Sequence, residues 1–228
     1  MANEISCAVK VEGLGFSVGR KRLLEGLGFS VDPGSSFAVI GHNGAGKTTL
    51  FHLLLGLKFP DRCSIAIFGE SPESPRSRAS VGYVPERPYF NLELGFGEML
   101  RFHAGLLGMD AATRVAEGAR VAAAVGLREQ VNQSLKTFSK GMLQKAMIAQ
   151  ALLGNPRILI LDEPMSGLDP EARETLRRWI REWKQEGRTV VFSTHALEEV
   201  ESLADRVLVL KSGRLEFLGD EKSWKERA

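Results

Sequence analysis

Long apolar segments are absent from this sequence of 228 residues. No apolar run approaches the roughly 18 residues that a membrane-spanning helix needs, so any membrane role would require a partner chain. The first residues, Met-Ala-Asn-Glu, lack the basic flank and apolar stretch of a signal peptide. Cysteine is scarce too, and Cys7 and Cys63 have neither metal-ligand spacing nor a disulfide framework. We therefore expect a cytoplasmic protein without membrane spans of its own.

An excess of charge of one sign is also missing. Lys and Arg number 30 against 28 Asp and Glu, which gives a net charge of +2 at pH 7. This balance argues against a nucleic-acid partner, and the short basic run at 20–22 does not create a basic surface. A chain of this length can bury a sizeable core and suits one large domain, or a core with an inserted lobe.

The sequence does contain a glycine-rich segment, GHNGAGKTT at 41–49, which fits the P-loop pattern Gly-x-x-x-x-Gly-Lys-Ser/Thr. A strand-like run at 37–40 precedes it and a helix-like run at 50–55 follows, which favours a P-loop over a glycine-rich turn with a surface lysine. Such a turn directs unpaired N–H groups and the positive end of a helix at a phosphate. Lys47 would reach the β and γ phosphates, and the Thr48 hydroxyl would ligate Mg²⁺. The predicted phosphate-binding residues are Gly41, Asn43, Gly44, Ala45, Gly46, Lys47, Thr48 and Thr49.

The first block of the chain is rich in β-strand signals. Apolar alternation predicts strands at 5–11, 14–18 and 27–31, separated by turns that contain glycine and proline. An antiparallel sheet ahead of the P-loop strand is the simplest arrangement. A further strand is expected at 81–84, while two prolines indicate a loop at 71–77.

The middle block changes to helical composition. Helices are predicted at 97–107, at 111–125 with Asp110 as the N-cap, and at about 141–153. We interpret residues 85–153 as a helical lobe inserted into one domain that covers 1–228. The core lobe would consist of residues 1–84 and 154–228.

Strands and helices alternate again in the last block. A buried strand is predicted at 157–161 and a helix at 170–186, with Asp169 as its N-cap. Trp179 and Trp183 lie on the apolar face of that helix, where core packing is a better explanation than a ligand platform. The remaining predicted elements are a strand at 189–193, a helix at 197–203 and a closing hairpin with strands at 207–210 and 215–218.

Two acidic residues, Asp162 and Glu163, end the apolar strand at 158–161. Because a buried parallel strand presents its carboxyl end to the ligand crevice, a carboxylate there can hold Mg²⁺. The next carboxylate points elsewhere and can orient or deprotonate an attacking water. We assign Asp162 to the metal and Glu163 to the general base. Without a P-loop, the same pattern would indicate only a strand that runs into a polar turn.

Five short motifs follow one another: the P-loop, TFSKGMLQ at 137–144, LDEP at 161–164, SGLD at 166–169 and STH at 193–195. Their order and spacing resemble those of the ATP-binding subunit of ABC transporters over nearly the whole chain. The resemblance implies an α/β fold, with a RecA-like P-loop NTPase core, an antiparallel β subdomain and an inserted α-helical subdomain. It also implies that ATP and Mg²⁺ are bound.

The resemblance further implies that two such domains sandwich two ATP molecules head to tail. Ser139 and Gly141 would then contact the γ-phosphate held by the other subunit, which suits a hydroxyl and an N–H at a helix start. From the residues alone, Ser139 would be an ordinary N-cap and His195 a structural histidine. By its motif position, His195 looks like the histidine that touches the γ-phosphate.

The sequence departs from the family pattern at several positions. Lys140 and Met142 replace a glycine and a glutamine in the usual Leu-Ser-Gly-Gly-Gln signature, a form similar to export-type and multidrug-type subunits. Glu86 stands where the family usually has a glutamine near Mg²⁺, so we assign it to the catalytic and metal groups. Val18 occupies the slot of the adenine-stacking aromatic, with Phe16 two residues before it, and both are candidates for nucleotide binding.

The reading that follows is an ATP-hydrolysing subunit that dimerises on ATP, lies on the inner face of the cell membrane and powers a separate transmembrane subunit, in export. The partners would be a second copy of the chain and an integral membrane protein. One alternative is a soluble ABC-type ATPase of DNA repair or translation. Another is a P-loop kinase or GTPase, although the sequence has no Asn/Thr-Lys-x-Asp motif to read a guanine base.

The segment at 85–92, PERPYFNL, joins the predicted core to the helical lobe. Its aromatic residues Tyr89 and Phe90 and the apolar Leu92 either fold under the helical lobe or anchor a helix of the membrane subunit, since Tyr and Phe concentrate in interface cores. Glu86 would report that contact to the Mg²⁺ site.

Overall fold

The computed structural model describes residues 7–89 and 91–225, without the side chain of Arg62. The predicted strand start at Ile5 and the loop residue Phe90 therefore lie outside the described residues. The strands within them are β1 (Val9–Val18), β2 (Lys21–Val31), β3 (Ser36–Ile40), β4 (Arg62–Ile67), β5 (Val81–Val84), β6 (Ile158–Leu161), β7 (Thr189–Thr194), β8 (Arg206–Lys211) and β9 (Arg214–Asp220). The α-helices are α1 (Lys47–Leu54), α2 (Pro75–Ser80), α3 (Phe96–Leu106), α4 (Ala111–Ala124), α5 (Lys140–Ala151), α6 (Pro170–Gln185), α7 (Leu197–Leu203) and α8 (Glu221–Lys225).

The smaller sheet has the order β2-β1-β4 and is antiparallel, which confirms the predicted antiparallel sheet. The prediction of separate strands at 5–11 and 14–18 was wrong, because β1 runs through Gly13 without ending. The pairing with β2 shifts register there, so the chain absorbs the glycine as a bulge. β2 likewise begins at Lys21 and passes through Gly26, which has a positive φ of 64°.

The larger sheet has the order β5-β6-β7-β3-β8-β9. Among the described strands of this sheet, β9 alone pairs antiparallel to its neighbour. Every residue of β3, β6 and β7 is buried, as expected for apolar strands covered on both faces. These three strands are adjacent and parallel, so their carboxyl ends meet at one edge of the sheet. The P-loop, Asp162 and His195 follow those ends and are brought together there.

The helices of the middle block, α3, α4 and α5, pack against one another. The Oδ1 atom of Asp110 accepts a hydrogen bond from the Thr113 N–H at 2.8 Å, which confirms the predicted N-cap of α4. The loop predicted at 71–77 was partly wrong, because α2 begins within it. The Oγ atom of Ser74 caps α2, and Pro75 occupies its first turn, where a missing N–H costs nothing.

The face of α6 that was predicted to be apolar lies in the main core. Leu176, Ile180 and Trp183 are buried, and the rings of Trp179 and Trp183 stack with their centroids 6.3 Å apart. This arrangement confirms core packing for the two tryptophans. Asp169 caps the helix through the Ala172 N–H at 2.8 Å. No helix within the described ranges is long and apolar enough to cross a bilayer.

Candidate nucleotide-binding site

The glycine-rich segment forms the turn between β3 and α1. Gly46 is the N-cap residue of α1 and has a φ of 111°, a conformation that favours glycine. A Cβ atom on Gly46 would lie 2.6 Å from the Leu24 side chain, and one on Gly41 would lie 2.5 Å from the Leu210 carbonyl oxygen. Close packing therefore favours glycine at both positions, and the backbone conformation favours it at Gly46 as well. The first N–H groups of a helix have no partner within the helix, so those at the start of α1 are suited to bind a phosphate.

The Lys47 side chain is buried at the base of the turn, with 6% of its surface exposed. Its Nζ atom donates a hydrogen bond to the Gly41 carbonyl oxygen at 2.6 Å. The same atom lies 3.0 Å from Glu163 Oε1, the distance of an ion pair, although Oε1 accepts no directed hydrogen bond from any described residue. A buried ammonium needs such partners. Lys47 thus joins the P-loop to the predicted general base.

The two acidic residues after β6 share one hydroxyl group, which binds the carboxylate of Asp162 and the backbone of Glu163. Ser193 Oγ donates to Asp162 Oδ1 at 2.6 Å and accepts from the Glu163 N–H at 2.8 Å. Asp162 is 1% exposed, and its Oδ2 atom has no partner among the described residues. Glu163 has a φ of 45°, which is uncommon for a residue other than glycine and turns its side chain into the cleft.

His195 lies beside Glu163, the predicted general base. Its Nδ1 atom is 3.0 Å from Glu163 Oε2, and its side chain is 60% exposed against 12% for Glu163. The turn that carries His195 is fixed from beneath, because Thr194 Oγ1 donates to the buried Glu199 carboxylate and accepts from the Ala196 N–H. The structure therefore places an imidazole at the mouth of the cleft, within hydrogen-bond distance of the predicted base.

A cleft of about 450 Å³ opens at this edge of the sheet. Gly41, Ala45 and Asp162 are predicted site residues that do not line the cleft. The residues that line it are Lys21, Leu23, Asn43, Gly44, Gly46, Lys47, Thr48, Thr49, Glu86, Glu163, Ser166 and His195.

Four residues that contribute to the site had not been assigned to it from the sequence. Lys21 and Leu23 belong to β2, more than twenty positions before the P-loop lysine, and no local pattern marks them. Ser166 lies in the SGLD motif, and Ser193 interrupts an apolar strand, which was a signal that a buried polar partner was present.

Ser139 and Gly141 do not line this cleft. Ser139 is the N-cap residue of α5, and its Oγ atom accepts from the Met142 N–H at 3.2 Å. Gly141 follows in the first turn, and a Cβ atom there would meet open space. The geometry of one chain thus matches the N-cap interpretation and leaves the N-terminal turn of α5 open to a ligand outside the chain.

Phe16 and Val18 also lie outside the cleft lining. Phe16 is buried in the core beneath the small sheet, with Lys58 Nζ 5.5 Å from its ring centroid. Val18 is 55% exposed at the end of β1. Neither side chain forms an aromatic wall of the cleft.

The residues of the site fit a magnesium ion. Asp162 offers a buried carboxylate oxygen that is not hydrogen-bonded to any described residue, and Thr48 offers a hydroxyl from the first turn of α1. Mg²⁺ prefers oxygen ligands and is commonly held by one or two carboxylates together with substrate phosphates. The unsatisfied Asp162 oxygen therefore has an explanation in such an ion.

The site has a glycine-rich turn at the end of a central parallel strand, a lysine at the start of the helix that follows, and an acidic pair after the next strand but one. This combination defines a P-loop nucleoside triphosphatase. The family model described as "ABC transporter" matches residues 24–166. The chain belongs to the ABC transporter family as an ATP-binding domain, and it is an ATPase.

Proteins similar to this chain are named as ATP-binding proteins or subunits. The chain is 36% identical over 225 residues to an uncharacterized ABC transporter ATP-binding protein of Nostoc sp., covering 94% of this chain and 67% of that protein. It is 33% identical to a Nod factor export ATP-binding protein I of Ralstonia nicotianae, covering 90% of this chain and 65% of that protein. A solved structure described as the ATP binding subunit of an ABC transporter matches with a TM-score of 0.86 and 33% identity, covering 96% and 92% of the two chains. The chain thus spans about two thirds of the length of these curated relatives.

Proposed function

We propose that this chain is the ATP-hydrolysing subunit of an export-type transporter, that it dimerises on ATP and that it drives a separate membrane subunit. The observation that carries the proposal is the Glu163 carboxylate, which lies 3.0 Å from Lys47 of the P-loop and 3.0 Å from His195. A carboxylate between a phosphate-binding lysine and an imidazole is suited to activate water next to a γ-phosphate.

The contacts of Lys47 suggest how substrate binding prepares the base. When the phosphates of ATP enter, the Lys47 ammonium exchanges the Gly41 carbonyl and the Glu163 carboxylate for the more highly charged β and γ oxygens. Glu163 Oε1 is then free to accept a proton from the attacking water, while His195 keeps Oε2 in place. Asp162 and Thr48 would hold Mg²⁺, with Glu86 at the rim of the cleft. The bound ion would neutralise part of the phosphate charge.

The second half of the site is proposed to come from another copy of the chain. Ser139 and Gly141 lie outside the cleft of their own chain, yet a hydroxyl and the open N–H groups of a helix start suit a γ-phosphate. We propose that the helical lobe, residues 85–153, carries them to the cleft of the partner copy, against the core lobe formed by 1–84 and 154–228.

The membrane subunit is proposed to dock in a groove between β5 and the helices α3 and α5. The groove measures about 460 Å³ and is lined largely by apolar side chains. Tyr89 is 81% exposed on its rim, which favours the anchor interpretation over burial under the helical lobe. Leu57 and Leu106, exposed by 63% and 69%, extend the apolar surface. A short helix of a membrane subunit fits such a groove, which would hold the chain on the inner face of the membrane.

The test is co-purification of the tagged chain from detergent-solubilised membranes of its native host. We expect an integral membrane protein with several spans to co-purify with the wild type. The variant Tyr89→Ala should lose this partner but keep its basal ATPase activity and thermal stability, and Val115→Ala, at a similarly exposed position on α4, serves as the matched control. Recovery with ribosomes or DNA in place of a membrane protein would contradict the proposal and favour the alternative role in translation or repair.

A further inference from the structure

The carboxylate of Glu199 is buried below the cleft, and the proposed mechanism does not use it. Glu199 belongs to the first turn of α7 and is 5% exposed, whereas the side chain of the adjacent Glu198 is 88% exposed. Burying a carboxylate costs free energy unless hydrogen bonds compensate for the lost water. Glu199 Oε2 accepts a hydrogen bond from Thr194 Oγ1, and Thr194 is itself 1% exposed. The buried carboxylate is thus directed at the residue that precedes His195.

Helix α7 holds this carboxylate in a fixed place. Val200 and Leu203, on the same short helix, are buried in the main core. The helix packs against α6 and against β7, the strand that ends at Thr194. A side chain supported by a rigid element can orient a neighbouring group more precisely than one on a free loop.

The hydroxyl group of Thr194 transmits this position to the backbone. A hydroxyl has one proton to donate and two lone pairs that accept. The proton goes to Glu199, and a lone pair accepts the Ala196 N–H at 3.0 Å. A threonine that accepts the N–H two residues ahead closes a tight turn, and the residue enclosed by this turn is His195.

The imidazole of His195 depends on the backbone for its position. Its side chain is 60% exposed, and Glu163 Oε2, at 3.0 Å from Nδ1, is its hydrogen-bond partner among the described residues. A displacement of the turn would therefore move the imidazole away from Glu163. A misplacement of about 1 Å at a reacting centre can lower a rate by about 100-fold.

We infer that Glu199 is a positioning residue for ATP hydrolysis, which acts through Thr194 to hold His195 against Glu163. The inference rests on the proposed roles of Glu163 and His195 and adds a residue that does not line the cleft. The structural alternative is that Glu199 only stabilises α7, since an acidic side chain interacts favourably with the start of a helix. The two explanations differ in whether the effect of Glu199 on turnover requires His195.

A double-mutant cycle on the intact chain tests this dependence. Glu199→Leu removes the acceptor while filling the buried space, and we expect turnover to fall by about 10- to 100-fold with an unchanged dissociation constant for ATP. In a His195→Ala background, the same substitution should change turnover by less than about twofold. Equal losses in the two backgrounds would assign Glu199 to helix stability and overturn the inference.

Further variants separate the hydrogen bond from the fold. Glu199→Gln retains an oxygen that can accept the hydroxyl proton, so its turnover should stay within about threefold of the wild type. Glu198→Leu, at the exposed adjacent position, is the matched control and should behave like the wild type. Glu198 pairs with Arg177 only at 3.8 Å on the surface, where an ion pair contributes little.

Thr194→Val removes the hydroxyl from the other side of the contact and should reproduce the loss of turnover. This variant decides the question if Glu199→Leu does not fold, and wild-type turnover in folded Thr194→Val would overturn the inference. If His195→Ala lowers turnover while Glu199→Leu and Thr194→Val do not, the inference fails and the proposed role of His195 stands. Wild-type turnover in His195→Ala would contradict that role, and the inference with it.

Discussion

At the scale of single residues, Lys47 and Glu163 depend on each other. Both are largely withdrawn from solvent, and their charged atoms lie 3.0 Å apart. Removing one partner of such a pair leaves the other charge poorly compensated. For substitutions at these positions, ATP affinity and turnover should therefore be measured separately, and the fold of each variant should be checked.

Lys47→Ala should weaken ATP binding by roughly 100-fold, because it removes the cation that faces the β and γ phosphates. Titration calorimetry of the folded variant measures this loss. Lys10→Ala, at an exposed lysine of β1 that pairs with Glu12, serves as the control and should bind ATP like the wild type. An unchanged affinity in Lys47→Ala would rule out the P-loop assignment.

Glu163→Gln should keep ATP affinity but lower turnover by about 10²–10⁴, the range for losing a general base. The amide keeps the shape of the side chain and its contact with His195 but cannot take a proton from water. Steady-state phosphate release and nucleotide affinity, measured on the same sample, separate the two effects. Turnover within a few-fold of the wild type would mean that another group acts as the base.

The residues that the sequence revealed are those whose evidence is local. The P-loop and the pair Asp162 and Glu163 each stand in one continuous motif between recognisable elements. Ser193 binds the Asp162 carboxylate and the Glu163 N–H because β6 and β7 are neighbours. Leu23 reaches the cleft because a turn near the end of the described residues connects β2 to the P-loop. Such contacts arise from the packing of distant segments, so no local pattern predicts them.

At the scale of elements, the helices of the middle block are joined by a charged cluster. Glu117 on α4 accepts hydrogen bonds from Arg120 and from the Gly154 N–H, and Arg120 also donates to the Leu152 carbonyl beyond α5. The hydrogen bond from Arg120, followed by that from Gly154, lowers the pKa of Glu117. The stability that ionised Glu117 contributes is thus present above its unfolded pKa and lost as pH falls through its lower folded value.

Glu117→Gln should therefore lower the free energy of unfolding at pH 7 by about 1 kcal/mol, a value discounted for partial solvent screening. The difference from the wild type should shrink as the pH falls from the unfolded pKa of this carboxyl group through its lower folded pKa, where the wild-type carboxylate becomes protonated. Urea denaturation at several pH values measures it, with Glu129→Gln as a control at an exposed glutamate of the same block. A difference that does not change with pH would exclude a role for the charge.

The prediction of elements failed where the chain bends without ending. Gly13 and Gly26 resemble strand breaks, yet β1 and β2 continue through them because paired antiparallel strands tolerate bulges. Ser74 and Pro75 are a suitable N-cap and first residue for α2. This signal was missed because the two prolines of the segment were interpreted as evidence for a loop. The long periodic helices α4 and α6 were predicted to within one residue of their ends.

At the scale of the whole molecule, the residues proposed to act on ATP are divided between two surfaces. Lys47, Glu163 and His195 line the cleft, whereas Ser139 and Gly141 lie at the exposed start of α5, outside it. If both surfaces act on one ATP, two copies of the chain must meet head to tail. ATP would then be part of the interface, and hydrolysis would release the two copies.

The mass of Glu163→Gln in solution, measured by light scattering with and without ATP and Mg²⁺, tests this account most directly. Because this variant is expected to bind ATP without hydrolysing it, the ATP-bound dimer should accumulate. We predict twice the 25.0 kDa of a single chain when ATP is present and 25.0 kDa when it is absent. A mass of 25.0 kDa under both conditions, with ATP shown to be bound, would contradict the two-copy site.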